Sequence, residues 1–116
     1  MSRNQVSEVA FNSADQATAN SAVFKPVSYY GPGLHYKGGA TLAGTIKLMV
    51  CNIKSDTGKP ESYVQYPGLA TINLTAGLEG MASLEGKTIT AEFAYWEFTK
   101  TGGTGSLKAT MSAQGV

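Results

Sequence analysis

The sequence predicts an all-β protein: an antiparallel β-sandwich, jelly-roll-like, with a flexible N-terminal arm. Two observations carry this. Runs of β-branched and aromatic residues alternate with polar ones at period two, and no segment shows a convincing helical period. Turns drawn from the chain's 14 glycines and 4 prolines separate these runs, as in sandwiches and jelly-roll barrels. At 116 residues the chain is long enough for one domain with a modest two-layer core. The expected division is an arm over residues 1–21 and a single β-sandwich domain over residues 22–116.

The arm is rich in Ser, Asn, Gln, Ala and Thr, with Val6, Val9 and Phe11 as its sizeable apolar side chains. That composition buries too little to fold alone, so the arm is expected to order only against a neighbour. Ser13–Ala19 is compatible with a short helix capped by Ser13, but the flexible arm is the preferred reading. Ala22–Tyr30 then reads as a first strand, which Pro26 confines to a sheet edge or a bulge. Gly31–Gly39 reads as a glycine-rich loop whose spacing does not fit a phosphate-binding loop.

Thr41–Lys54 is a long strand with Leu42, Gly44, Ile46, Leu48 and Val50 on one face. Its other face starts polar with Thr41, Thr45 and Lys47 and turns apolar at Met49, Cys51 and Ile53. Ser55–Pro60 has the Asp, Gly and Pro of a turn. Tyr63–Tyr66 is a short strand, Pro67-Gly68 a second turn, and Leu69–Thr75 alternates with Ala70, Ile72 and Leu74 inward. Gly77–Gly86 is expected to be a connection with about one helical turn, in which Leu78 and Leu84 plug the end of the core.

Gly86–Thr99 is the most strand-like run. Ile89, Ala91, Phe93 and Tyr95 share the expected inward face, opposite Thr88, Thr90 and Glu92. Trp96 and Phe98 then place large aromatics on the face that had been polar. Either a bulge shifts the register, or that end is covered on both faces. The glycine turn Thr101–Gly105 is expected to join this strand in a β-hairpin to Ser106–Gln114, where Leu107, Ala109, Met111 and Ala113 share a face.

The chain has little chemistry to offer. Charged residues make up 15% of it, against about a quarter in average domains, which suggests either a surface largely in contact with neighbours or an extracellular β-domain. The nine basic residues are scattered singly and the net charge is +1, so nucleic-acid binding is not expected. Cys51 is the only cysteine, which excludes an intrachain disulfide, and its apolar strand marks it as a buried thiol. His35 is the only histidine and has no local nucleophile, while the eight acidic residues show no ligand spacing. Glu92 and Glu97, five apart on a strand, point to opposite faces and cannot flank one glycosidic bond without a bulge between them. No catalytic residue, metal site or cofactor is expected. No apolar run approaches the length of a membrane span, and the polar first 20 residues lack a signal-peptide centre.

The aromatic residues say more. Tyr29, Tyr30 and Tyr36 bracket the first glycine loop, Tyr63 and Tyr66 flank the second turn region, and Trp96 with Phe98 breaks a polar face. Such residues supply contact area with a polar tip, for protein interfaces or sugar stacking. Together with Phe11 in the arm, they are the expected partner-binding set.

Ser83-Leu-Glu-Gly-Lys-Thr-Ile-Thr-Ala-Glu-Phe93 resembles a strand opening common in jelly-roll modules, among them carbohydrate-binding modules and the appendage and fibre domains of bacteriophage virions. In style the whole chain resembles small all-β bacteriophage virion structural proteins, with its polar arm, its Gly/Ala/Thr-rich β-domain and no catalytic cluster. The resemblance implies a non-enzymatic structural protein of a phage particle, a capsid decoration, vertex or tail-associated subunit. It would be made in the host cytoplasm and reside in the virion. Its partners would be further copies of itself and other virion proteins, met through the arm and an aromatic β-face. The alternative is a carbohydrate-binding β-sandwich module that uses Trp96 and the loop tyrosines as stacking platforms.

Overall fold

A computed structural model describes residues 5–26, 29–84 and 89–115. The strands are β1 (Gln5–Ser13), β2 (Ala19–Asn20), β3 (Tyr29–Gly38), β4 (Ala43–Lys54), β5 (Pro60–Gln65), β6 (Ile72–Leu74), β7 (Glu79–Ser83), β8 (Phe93–Gly102) and β9 (Leu107–Gly115). They form two sheets. The first has the order β1-β9-β3-β7, and the second β2-β8-β4-β5, with β6 also paired to β4. Every pairing is antiparallel.

The order is that of a jelly roll. The first strand pairs with the last, β2 with β8, β3 with β7, and β4 with its neighbours β5 and β6, while the chain passes repeatedly from sheet to sheet. The expected all-β antiparallel sandwich is therefore the observed one.

The core lies between the sheets. β4 contributes Ile46, Leu48 and Val50 at alternate positions, with Leu42 just before it, as its sequence predicts. β8 contributes Ala94, Trp96 and Phe98, and β9 contributes Leu107, Ala109, Met111 and Ala113. Phe98 is fully buried and meets Phe11 of β1 edge-on across the core, with ring centroids 6.2 Å apart. Burying such a side chain stabilises by roughly 1.5–3 kcal/mol.

Several expectations need correction. The N-terminal segment is no arm over its described part: Gln5–Ser13 is an edge strand paired with β9, and Phe11 is buried in the core. Three apolar side chains are too few for a domain but enough for one strand laid on an existing core. Residues 13–19 form no helix, and the Gln16 backbone N–H instead donates to the Gly105 carbonyl at 2.9 Å. The Ala22–Tyr30 strand shrinks to a bridge, in which Phe24 and Ala94 exchange backbone hydrogen bonds of 2.8 and 2.9 Å.

Most of the glycine-rich loop is strand. In β3 the register shifts between Tyr30 and Gly33, next to Gly31 at φ 62°, so glycine here makes a bulge within a strand. The connection before Gly86 holds β7, with Leu84 buried at its end and Leu78 packed on the core. Residues 85–88, the start of the most strand-like run, lie outside the described residues.

β8 also departs from its expected pairing and face. Ile89 and Ala91 are buried, but a bend at Glu92 moves the inward face to the even positions Ala94, Trp96 and Phe98. Phe93 and Tyr95 consequently turn outward. β8 and β9 form no hairpin, because they belong to different sheets. The turn between them has Gly103 and Gly105 at positive φ and crosses the Gly38–Leu42 connection, where Gly39 donates to Ser106 and Thr41 to Thr104. That crossing carries the chain over the end of the core instead of back along the same sheet.

Candidate interaction surface

The bend at Glu92 decides which aromatics are available. With Ala94, Trp96 and Phe98 inward, β8 presents Phe93, Tyr95 and Glu97 on the outer face of the second sheet, half-buried. Met49 of β4 stands opposite Tyr95 in the register, and Cys51 opposite Phe93. Tyr63 of β5 completes the cluster, its ring meeting that of Tyr95 edge-on with centroids 4.6 Å apart. Lys25 reaches over the Phe93 ring, with its ammonium 5.8 Å from the centroid. Ile53 and Val64 on the same two strands, β4 and β5, are exposed large apolar residues.

The polar atoms in this patch are electrostatically subdued. Burial pushes the Tyr63 phenol above its ordinary value, with Cys51 and then Tyr95 adding to the effect. Tyr95 is raised first by burial and then by the Glu97 carboxylate. Both rings are therefore held neutral across the physiological range. The Tyr63 hydroxyl is buried without a hydrogen-bond partner. Cys51 is 3% exposed and its thiol donates to the Ile53 carbonyl at 3.0 Å, so it serves as part of the packing beneath the rings.

The residues expected to bind a partner divide into four groups. Phe11, Trp96 and Phe98 are core residues at 5%, 2% and 0% exposure, packed between the sheets. Their size and apolarity drew them inward. Tyr29, Tyr36 and Tyr66 are partly buried and pack on the core. Tyr29 rests edge-on against Phe24 at 5.9 Å, and burial raises its phenol, with the charge of Glu8 and a hydrogen bond to it adding. Tyr36 and Tyr66 lie across Gly80 and Gly68, where an added Cβ would meet their rings. Tyr30 is half-buried at the start of β3. Tyr63 alone of the set joins the outer cluster.

Sequence reading placed Met49 on the face away from the core row of β4 but missed Phe93 and Tyr95 as surface residues. The available signal was parity: Ala94, Trp96 and Phe98 together are larger and more apolar than Phe93 and Tyr95, and so have the stronger claim on the core. The buried position of Trp96 also removes the stacking platform on which the carbohydrate alternative depended. Trp96 lines a cleft of ≈ 230 Å³ between β1 and residues 21–24, yet its indole nitrogen is covered and has no acceptor.

His35 lies in β3, not in a loop, and its Nε2 is 2.7 Å from Glu79 Oε2 on the exposed face of the first sheet. Glu92 pairs with Lys54. Among the described residues no three His, Cys, Asp or Glu side chains are grouped to hold a metal ion. Nor, among the described residues, is any helix long and apolar enough to cross a membrane.

No protein-family model matches the chain, and no curated protein matches it. In fold it is similar to the SPBc2 prophage-derived protein YomS, at a TM-score of 0.55 and 10% identity, over 97% of this chain and 96% of that one. It is also similar to a chain of the T13 IBDV viral particle, at a TM-score of 0.50 and 15% identity. That match covers 94% of this chain and 30% of the other, so the chain spans under a third of its length. At such identities the likeness is one of fold.

Proposed function

We propose that the chain is a non-enzymatic structural protein of a phage particle, a decoration, vertex or tail-associated subunit that works by assembly. The observation that carries this reading is the end-to-end likeness to a prophage-derived protein of nearly the same extent, on a jelly roll also found in a viral particle. Fold alone does not fix function. The outer face supplies the physical support: Met49, Tyr63, Phe93 and Tyr95 form a neutral aromatic patch whose rim carries Lys25 and Glu97. A rigid, weakly charged patch with a polar rim is the composition of a protein interface.

The assembly surface in this reading is the outer face of the second sheet, in place of the buried Trp96 and Phe98. The test is co-sedimentation of the protein with phage particles from a producing host. The wild-type chain is expected in the particle fraction, and Tyr63→Ser with Tyr95→Ser is expected to reduce its occupancy roughly tenfold or more, the loss of two interface aromatics. Absence of the wild-type chain from every particle fraction would sink the reading.

A further inference from the structure

The outer faces of the two sheets differ in what each would meet in a copy of itself. On the second sheet, β8 and β4 set Phe93 beside Cys51, Tyr95 beside Met49 and Glu97 beside Lys47. The first two pairs are apolar, and the last carries opposite charges. Glu97 and Lys47 are half-buried. The ion pairs among the described residues are His35–Glu79 and Lys54–Glu92, so these two neighbours stand without one. Partly desolvated charge is costly until an opposite charge meets it. On the first sheet, β3 and β9 set Lys37 beside Lys108, both exposed.

We infer that the outer face of the second sheet is a two-fold contact, and that its occupant is the same face of a second copy of this chain. The contact rests on the assembly reading above and names the partner that this surface takes. A two-fold contact presents the same patch from both sides, so the patch must complement itself. Here it does. With the axis between β8 and β4 and along the strands, the rotation exchanges the two strands' places, and each side-by-side pair meets itself reversed. Glu97 then lies opposite the partner's Lys47, Tyr95 opposite the partner's Met49, and Phe93 opposite the partner's Cys51. Opposite charges meet on both sides of the axis, and apolar residues meet apolar ones.

Charge excludes the other arrangements. An axis turned across the strands through Tyr95 would set Glu97 against the partner's Phe93 and Lys47 against the partner's Cys51, covering each charge with an apolar residue. The first sheet fails the operation that the second satisfies, because it would bring Lys37 onto the partner's Lys108. One self-complementary face backed by one that repels its copy closes a dimer and does not propagate a stack.

Sedimentation velocity on the full chain tests the contact. The wild-type chain is expected to dimerise. Lys47→Glu leaves only carboxylates at the charged positions of the contact, and Glu97→Lys leaves only ammonium groups. Each variant alone is therefore expected to associate roughly tenfold or more weakly. Mixed in equal amounts, the two are expected to form a heterodimer at close to the wild-type affinity, because each offers the charge that the other lacks. Another virion protein on this surface would produce no such recovery. Tyr95→Ser alters no charge, is expected to weaken the dimer as well, and keeps the test decisive if a charge reversal disturbs folding. A chain that is monomeric at all concentrations overturns the two-fold contact; if Tyr63→Ser with Tyr95→Ser still lowers particle occupancy, the assembly reading stands with a different partner. A dimer indifferent to these substitutions, or folded charge variants that do not recover on mixing, overturns it too.

Discussion

Trp96 and Phe98 are two positions apart on one face of β8 and meet the interior differently. Phe98 has no polar atom to satisfy, whereas Trp96 carries an indole N–H to a site without an acceptor, a burden of about 1–3 kcal/mol that its apolar area must outweigh. On the opposite face of the same sheet, Tyr63 and Tyr95 are half-buried phenols with raised pKa values. Their proton linkage has a definite sign. An unfolded tyrosine ionises near 10.0 and the folded ones ionise higher, so the unfolded chain releases protons first as pH rises. Their stabilisation is complete below pH 10 and is lost as pH climbs through the folded values. Chemical denaturation is expected to show a midpoint that falls above pH 10, and Tyr63→Phe, which removes an unpartnered hydroxyl as well, is expected to flatten that fall. A midpoint with the same alkaline slope in the variant would contradict the assignment.

At the scale of elements, β4 shows how far local pattern reaches. Leu42, Gly44, Ile46, Leu48 and Val50 alternate in the sequence and face the core in the fold, because a strand with one apolar row has a single way to bury it. Gly44 sits in that row for a steric reason. An added Cβ would collide with the Thr99 carbonyl oxygen of β8 and lie 2.7 Å from Phe98 Cε1. The backbone oxygen cannot swing aside, so Gly44→Ala is expected to cost about 1–3 kcal/mol or more, read as a lowered denaturation midpoint. An unchanged midpoint would mean that β4 and β8 are less closely apposed. β8 was legible as a strand but not in its facing, since Phe93-Ala-Tyr-Trp-Glu-Phe98 offers apolar residues at both parities. The bend at Glu92, which selects one of them, has no local sequence signature.

At the scale of the whole molecule, the first strand closes the jelly roll on the last. β1 is composed like an arm, yet it pairs with β9 and brings Phe11 against Phe98. Deleting residues 1–13 therefore removes an edge strand and opens the core. The loss is expected to exceed the ~3–5 kcal/mol of a buried Phe→Ala change, a large share of the ~5–15 kcal/mol that holds a domain folded. Thermal melting followed by circular dichroism should show a much lower midpoint or no cooperative transition. A truncated chain that melts like the full one would restore the arm as a dispensable appendage.

The sequence by itself determined the class of fold, the turns at Ser55–Pro60 and Pro67-Gly68, and the inward rows of β4 and β9. These follow from period-two burial and local turn chemistry, which act over a few residues. Only the tertiary structure decided which aromatics remain outside, that β8 and β9 lie in opposite sheets, and that residues 5–13 form a strand. Each of these depends on pairing between segments far apart in the chain. A short polar strand gains its stability from the partner edge and the core it covers, and neither is written in its own residues.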